Sequence, residues 1–207
     1  MSVWSELRVS WQAFKTRRKM NRQFGRREDP FSYATTPYEA ARLDAMDAAL
    51  GPGRLEEVLE VGCAEGHFTE RLTRRARRVT ALDISTVALA RALKRAPGAV
   101  FVAADLMTWA PRPEAAYDAI VLGDVLYYLD RPGVGAEFAA LFPRLASWLK
   151  PGGRLLLAHG FSSDKELAHR RSFRERFEAA ALRLVSETIP DADRGGVRCL
   201  LSTLEKI

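Results

Sequence analysis

At 207 residues, 47% hydrophobic and 28% charged, the chain has the size and composition of one ordinary globular domain. It has no apolar run of about 18 residues to span a membrane, and no apolar stretch with a small-residue cleavage site to mark a secretion signal. Two cysteines, Cys63 and Cys199, make neither a disulfide framework nor a zinc-ligand pattern, so a reducing cytoplasmic setting and no metal are expected. The net charge of +6 is local: eight basic residues between Leu7 and Arg27 carry it, and the remaining chain stands at −2.

Residues 1–28 form a basic N-terminal extension. Trp4, Leu7, Trp11 and Phe14 recur at helical spacing, and the expectation is a helix that packs this stripe on the domain and leaves its cations in solvent. Such an extension would be dispensable for cofactor binding. The competing reading is a basic amphipathic helix for nucleic acid or an anionic membrane surface. From residue 29 onward one domain is expected, with no internal repeat or low-complexity linker. Thr36 as N-cap, Pro37 at the first helical position and Glu39 as the return partner of a capping box predict a helix buried through Leu43, Met46 and Leu50 and stopped by Gly51-Pro-Gly53.

The stretch that organises the chain follows. Val58, Leu59 and Val61 form a short buried strand that runs into Gly62-Cys-Ala-Glu-Gly66 and then a helix with Phe68, Leu72 and Ala76 on one face. A glycine turn at such a strand end lets a ligand approach the backbone. The pyrophosphate fingerprint G-x-G-x-x-G is broken, because Ala64 and His67 stand at its second and third glycine positions. Glu60 inside the strand would repel a pyrophosphate and suits a cationic amino group. The second strand, Val79 to Asp83, places Asp83 where a carboxylate reaches ribose hydroxyls. Arg74, Arg75, Arg77 and Arg78 before it read as a solvated helix end. Ser85 caps the next helix, and the third strand, Val100 to Asp105, ends in an acid that can accept from an adenine amino group, with Leu106 offering a backbone N–H.

The fourth strand, Tyr117 to Leu122, ends in Gly123-Asp-Val-Leu-Tyr-Tyr-Leu129. A helix with Phe138, Leu141, Phe142, Leu145 and Leu149 inside leads to a tight turn, Lys150-Pro-Gly-Gly153, and to a fifth strand ending at His159. An arginine-rich helix over 161–182 and two closing strands, 184–189 and 197–207, complete the chain. The pattern predicts an α/β fold: one doubly wound, Rossmann-like sheet of seven strands, six parallel and the last antiparallel, with helices on both faces.

A nucleoside joined to an α-amino acid, with no phosphate, is S-adenosylmethionine (SAM), and Glu60 to Gly66 resembles motif I of the class I SAM-dependent methyltransferases. Within that superfamily the chain is most similar to the nodulation protein S family of N-methyltransferases. The likeness rests on Asp29-Pro-Phe31, Thr36-Pro-Tyr-Glu39, Leu59-Glu-Val-Gly-Cys-Ala64, Val125-Leu-Tyr-Tyr-Leu129 and Cys199-Leu-Leu201. It implies SAM as cofactor, S-adenosylhomocysteine (SAH) as product, and a methyl acceptor that is a small-molecule amine, an amino sugar or a related metabolite. The cofactor-binding set it implies is Glu60, Gly62, Cys63, Gly66, Asp83, Ile84, Asp105, Leu106 and Gly123.

On the acceptor side Tyr33, Tyr38 and Arg42 are expected to touch substrate, and Asp124 and Tyr128 to hold it. His159 is expected either as the base that deprotonates the acceptor or as a satisfied structural histidine. The alternative is an RNA or nucleic-acid methyltransferase gripping through the basic extension. Gly123-Asp-Val-Leu-Tyr-Tyr128 counts against it, because base-amine methyltransferases carry an Asn/Asp-Pro-Pro-aromatic motif there. A monomer or homodimer with no membrane span completes the expectation.

Overall fold

The computed structural model describes residues 3–113 and 116–207. In chain order the elements are α1 (Val3–Arg26), α2 (Pro37–Ala49), β1 (Leu55–Val61), α3 (His67–Arg75), β2 (Ala76–Asp83), α4 (Thr86–Arg95), β3 (Val100–Ala103), β4 (Tyr117–Gly123), α5 (Leu126–Leu129), α6 (Gly135–Trp148), β5 (Leu149–Phe161), α7 (Asp164–Glu178), β6 (Leu182–Thr188) and β7 (Arg198–Lys206). The strands form one sheet in the order β3-β2-β1-β4-β5-β7-β6, in which β7 alone runs against its neighbours. This is the expected doubly wound sheet, and its order reverses between β1 and β4.

Apolar side chains alternate between the two faces. Leu59, Val61, Leu82, Ile120, Leu122, Leu155 and Leu157 meet Phe138, Phe142, Phe173 and Phe177 of α6 and α7 on one side. Val58, Val79, Ala119, Val121, Leu156 and Ala158 meet α2 and α3 through Leu43, Met46, Leu50, Phe68 and Leu72 on the other. Phe142 packs edge-on against Phe138 at 5.1 Å and Phe177 at 4.8 Å between ring centroids. Burial of each such ring contributes about 1.5–3 kcal/mol.

Several expected details are corrected. Lys150 to Gly153 is not a turn before the fifth strand but part of it. The register slips from Tyr117↔Leu149 to Ala119↔Arg154, so the extra residues are absorbed as a bulge. Helix α3 stops at Arg75, and Ala76 already belongs to β2. Of the four arginines, Arg74, Arg77 and Arg78 are solvent-exposed as expected, and Arg75 is the partly buried exception. Arg75 reaches back to Asp47 and to the Gly51 carbonyl at the end of α2, while Arg77 and Arg78 pair across strands with Glu56 and Glu57. At the start of α2, Thr36 Oγ1 accepts from the Glu39 N–H, but the Glu39 carboxylate turns inward to Arg42 and leaves the capping box half-built.

The largest correction concerns α1. Its aromatic stripe faces outward: Trp4, Leu7, Trp11 and Phe14 are 75, 56, 57 and 55% exposed. The face that docks carries Val9, Met20 and Phe24, all buried. Periodicity alone picks out the more apolar stripe, whereas the docked face sets Met20 and Phe24 against Ala64 and Ala88.

Candidate active site

A cavity of about 440 Å³ opens at the carboxyl ends of β1 to β5, around the point where the strand order reverses. Open α/β sheets leave a crevice there because the chains leaving neighbouring strands diverge to opposite faces. The turn after β1 forms its floor. Gly62 has φ +79°, and a Cβ on it would lie 2.9 Å from the Gly123 carbonyl oxygen of β4, so only glycine fits between the two strand ends. Gly66 has φ +81° for a different reason. A Cβ there would press on Ala92 at 3.1 Å, so this glycine lets α3 approach α4 and does not line the cavity.

Asp83 at the end of β2 locks the turn from below. Its Oδ2 accepts from the Ala64 N–H at 2.9 Å, which holds Ala64 at φ +48°, and its Oδ1 accepts from the Ser85 N–H at 2.7 Å. Burial raises its pKa, and these backbone donors oppose the rise. Asp105 Oδ1 accepts from Met107 N–H at 2.9 Å, while its Oδ2 and the Leu106 N–H have no partner among the described residues. Both residues line the cavity, with Ile84 beside them.

Glu60 sits beneath the turn instead of in the cavity. Thr69 Oγ1 donates to its Oε2 at 2.6 Å, and burial pushes its pKa up to about 7 against that bond. A carboxyl with a folded pKa above its unfolded value of about 4.5 contributes most to stability below that value, and the contribution is lost as pH rises toward 7. Glu60→Gln is therefore expected to flatten the fall in stability between pH about 4.5 and 7, read as urea midpoints across pH; an unchanged slope would contradict the assignment. Cys63 is likewise buried beside Ala81 and Leu89, away from the cavity.

The other end of the cavity is built around a buried ionic chain. Arg42 of α2 donates to Glu39 at 3.0 Å, and its other arm contacts Asp124 at 2.8 Å and the Ala158 carbonyl at 3.1 Å. Asp124 has φ +50°, and its Oδ1 also accepts from the Gly160 N–H at 2.7 Å and the Tyr127 hydroxyl at 3.1 Å. Burial works against ionisation, yet Arg42 and these donors hold the Asp124 carboxyl below its usual range. Glu39, by contrast, is pushed up by burial, with Arg42 and Arg194 opposing. Tyr33 stacks on His67 at 5.4 Å and forms part of the roof, and Tyr38 lies under Arg194. Tyr33, Tyr38, Gly123, Asp124 and Tyr128 all line the cavity, whereas Arg42 stands behind it.

His159 faces the apolar side of the sheet, 5.7 Å from Phe173 and 6.0 Å from Tyr127 between ring centroids, and does not line the cavity. At 1% exposure, burial lowers its pKa to about 3, so it stays neutral and is a poor base at neutral pH.

Sequence reasoning missed several contributors. Helix α1 supplies Thr16, Met20 and Phe24 to the cavity wall, so the basic segment is part of the cavity and not a detached tail. Glu65 ties the roof down: it accepts from the Asp29 N–H at 2.8 Å and pairs with Arg91, and Asp29 in turn accepts from the N–H groups of Tyr33 and Ala34. Tyr127, Glu166, Arg170 and Arg194 complete the acceptor end. Both arginines are engaged, Arg170 with the Gly160 carbonyl and the Tyr127 ring, and Arg194 with the Phe31 carbonyl and Glu39. For Glu39 the signal was present, an acid three residues before an arginine on a buried helix face; for the arginines no local pattern existed.

This fold, with acids at the ends of β2 and β3 and a glycine turn at the switch point, defines a class I SAM-dependent methyltransferase. A family model described as Nodulation protein S (NodS) matches residues 15–197, and the chain belongs to that family. A nodulation protein S of Sinorhizobium fredii (strain NBRC 101917 / NGR234) is 30% identical over 190 residues, spanning 86% of this chain and 84% of the relative. A trans-aconitate 2-methyltransferase of Paracidovorax citrulli is 37% identical over 120 residues, but over only 57% of this chain and 43% of the relative. In fold, the chain resembles the crystal structure of the N-methyltransferase NodS from Bradyrhizobium japonicum WM9 in complex with SAH. The TM-score is 0.79 at 24% identity, over 92% of this chain and 98% of that one.

Proposed function

We propose that this enzyme methylates an amine nitrogen of a small molecule, an amino sugar or related metabolite, with SAM in the half of the cavity formed by the β1, β2 and β3 ends. The donor set there fits SAM. Asp83 suits a diol and the spare Asp105 oxygen an exocyclic amine, the Leu106 N–H is unused, and no cation from these three strand ends lines the cavity to meet a phosphate. Gly62, Ala64, Asp83, Ile84, Asp105 and Leu106 would hold it; Glu60, Cys63 and Gly66 would act by shaping the turn. Bound there, SAM supplies a methyl group already activated on a sulfonium.

The observation that carries the amine reading is the acceptor end itself. It is lined by the carboxylates of Glu39, Asp124 and Glu166 and by the rings of Tyr38, Tyr127, Tyr128 and Phe161. Carboxylates and aromatic faces both attract an ammonium. Arg170 and Arg194 are tied up in the wall, as Glu39 and Asp124 are by Arg42. This leaves the Glu166 carboxylate, bonded only to Ser162 among the described residues, and the aromatic rings to favour a cation. Orientation of the two reactants contributes on the order of 7–11 kcal/mol.

At the acceptor end only Glu39 has its pKa raised, by burial, and its carboxylate is engaged by Arg42 and Arg194. Asp124 is held low by Arg42 despite its burial, and Glu166 is held low by hydrogen bonds from Ser162. The acceptor must therefore arrive neutral or lose its proton to solvent through the cavity mouth. The methylation rate under subsaturating acceptor is expected to rise about tenfold per pH unit until the acceptor's own amine pKa is passed. A plateau set instead near pH 6.5, lost in His159→Gln, would restore the histidine as base. A panel of acceptors with labelled SAM tests the substrate class. Amino sugars with a free amine should take label; exclusive labelling of trans-aconitate or RNA would reject the proposal.

A further inference from the structure

Helix α1 has two working faces, and only one is spent on the cavity. Opposite Val9, Met20 and Phe24, the side chains of Trp4, Leu7, Trp11 and Phe14 stand in solvent at intervals of three and four residues. The same row continues at that spacing with exposed Arg18 and Arg22, and exposed Arg8 and Lys15 flank it. Glu6 is the one acidic residue of the helix, against seven basic ones. Large apolar side chains rarely gather on a free surface without a partner.

We infer that the outer face of α1 docks this enzyme on an anionic lipid surface, with the helix lying in the plane of the interface. Tryptophan, leucine and phenylalanine enter the boundary between headgroups and acyl chains, and the arginines and lysines reach the lipid phosphates. No described helix is long and apolar enough to cross a membrane, so the attachment is peripheral and reversible. Charge decides among occupants. A second copy of the chain would bring one cationic row against another. A nucleic-acid strand would satisfy the arginines but not Leu7, and Trp11 and Phe14 are already stacked on one another at 5.9 Å, with Lys15 over Trp11. Met20 and Phe24 on the inner face wall the cavity, so docking would set the active site within one helix diameter, about 10–12 Å, of the lipid.

The test uses the full chain and flotation with vesicles of phosphatidylcholine alone or of phosphatidylcholine and phosphatidylglycerol in equal amounts. Binding to the anionic vesicles, released by high salt, is expected. The pair Trp11→Glu with Phe14→Glu should lower the bound fraction at least about tenfold, as should Arg18→Glu with Arg22→Glu. Both variants should keep the wild-type affinity for SAH by calorimetry, which shows the fold intact; if the glutamates unfold the helix, Trp11→Ser with Phe14→Ser carries the same comparison. Absence of binding to anionic vesicles overturns the inference, as does binding that the Trp11 and Phe14 variants leave unchanged. So does a dimer by light scattering that those variants dissociate without any vesicle binding. An RNA oligonucleotide bound with the same variant sensitivity, in place of vesicles, also overturns it.

Discussion

Replacing Arg42 by methionine is expected to lower stability by about 3–5 kcal/mol, because it strands the buried Glu39 and the partly buried Asp124. Arg42 is buried, and its guanidinium is shared between Glu39, Asp124 and the Ala158 carbonyl. Methionine fills much of the volume but satisfies none of these groups. For a chain of this length the melting temperature should fall by roughly 10 °C. Lysine should not rescue, since one ammonium cannot span the two carboxylates as the planar fork does. A second change, Asp124→Asn, should recover part of the loss, because it removes one of the stranded charges. Thermal unfolding of the three variants checks this; a single variant within about 1 kcal/mol of wild type would show that the ion chain is incidental.

Asp83→Ala is expected to weaken SAH binding at least about 100-fold, measured by calorimetry. Two losses combine. The carboxylate would no longer meet the ribose hydroxyls, and the Ala64 N–H at a left-handed turn would lose the acceptor that holds it at 2.9 Å. Each hydrogen bond to a charged group contributes about 1.5–3 kcal/mol. Asparagine should sit between the two, keeping one acceptor for the turn and losing the charge. Wild-type affinity in the alanine variant would remove Asp83 from the cofactor site.

The parts of the molecule that depend on neighbours in sequence were legible, and the parts that depend on distant partners were not. Val58 to Val61, Val79 to Asp83 and Tyr117 to Leu122 announce themselves as buried strands ending in glycine or acid, and the parallel sheet follows from the helices between them. Asp83, Ile84, Asp105, Leu106, Gly123, Asp124 and Tyr128 meet around one cavity because each lies at or just after a strand end. Glu60 and Gly66 lie in the same motif, yet alternation and the αL turn send them into the packing beneath it.

His159 follows the same rule. It stands one residue from Ala158 and Gly160, and the pleat turns it to the opposite face. The Arg42–Asp124 pair joins residues 82 positions apart, which no periodicity reveals. For α1, spacing pointed to the Trp4, Leu7, Trp11 and Phe14 stripe, and the structure buries Val9, Met20 and Phe24 on the opposite face instead.

In the proposed reaction a methyl group passes from SAM to an acceptor nitrogen held between Asp124, Glu39 and the tyrosines. The direct measurement supplies the enzyme with SAM isotopically labelled in the methyl group and an oligosaccharide carrying one free amine. Nuclear magnetic resonance of the product then reads the shift of the transferred carbon. An N-methyl resonance is predicted, reduced strongly in Asp83→Ala. An O-methyl resonance, or none with any amine while another acceptor class is methylated, would contradict it.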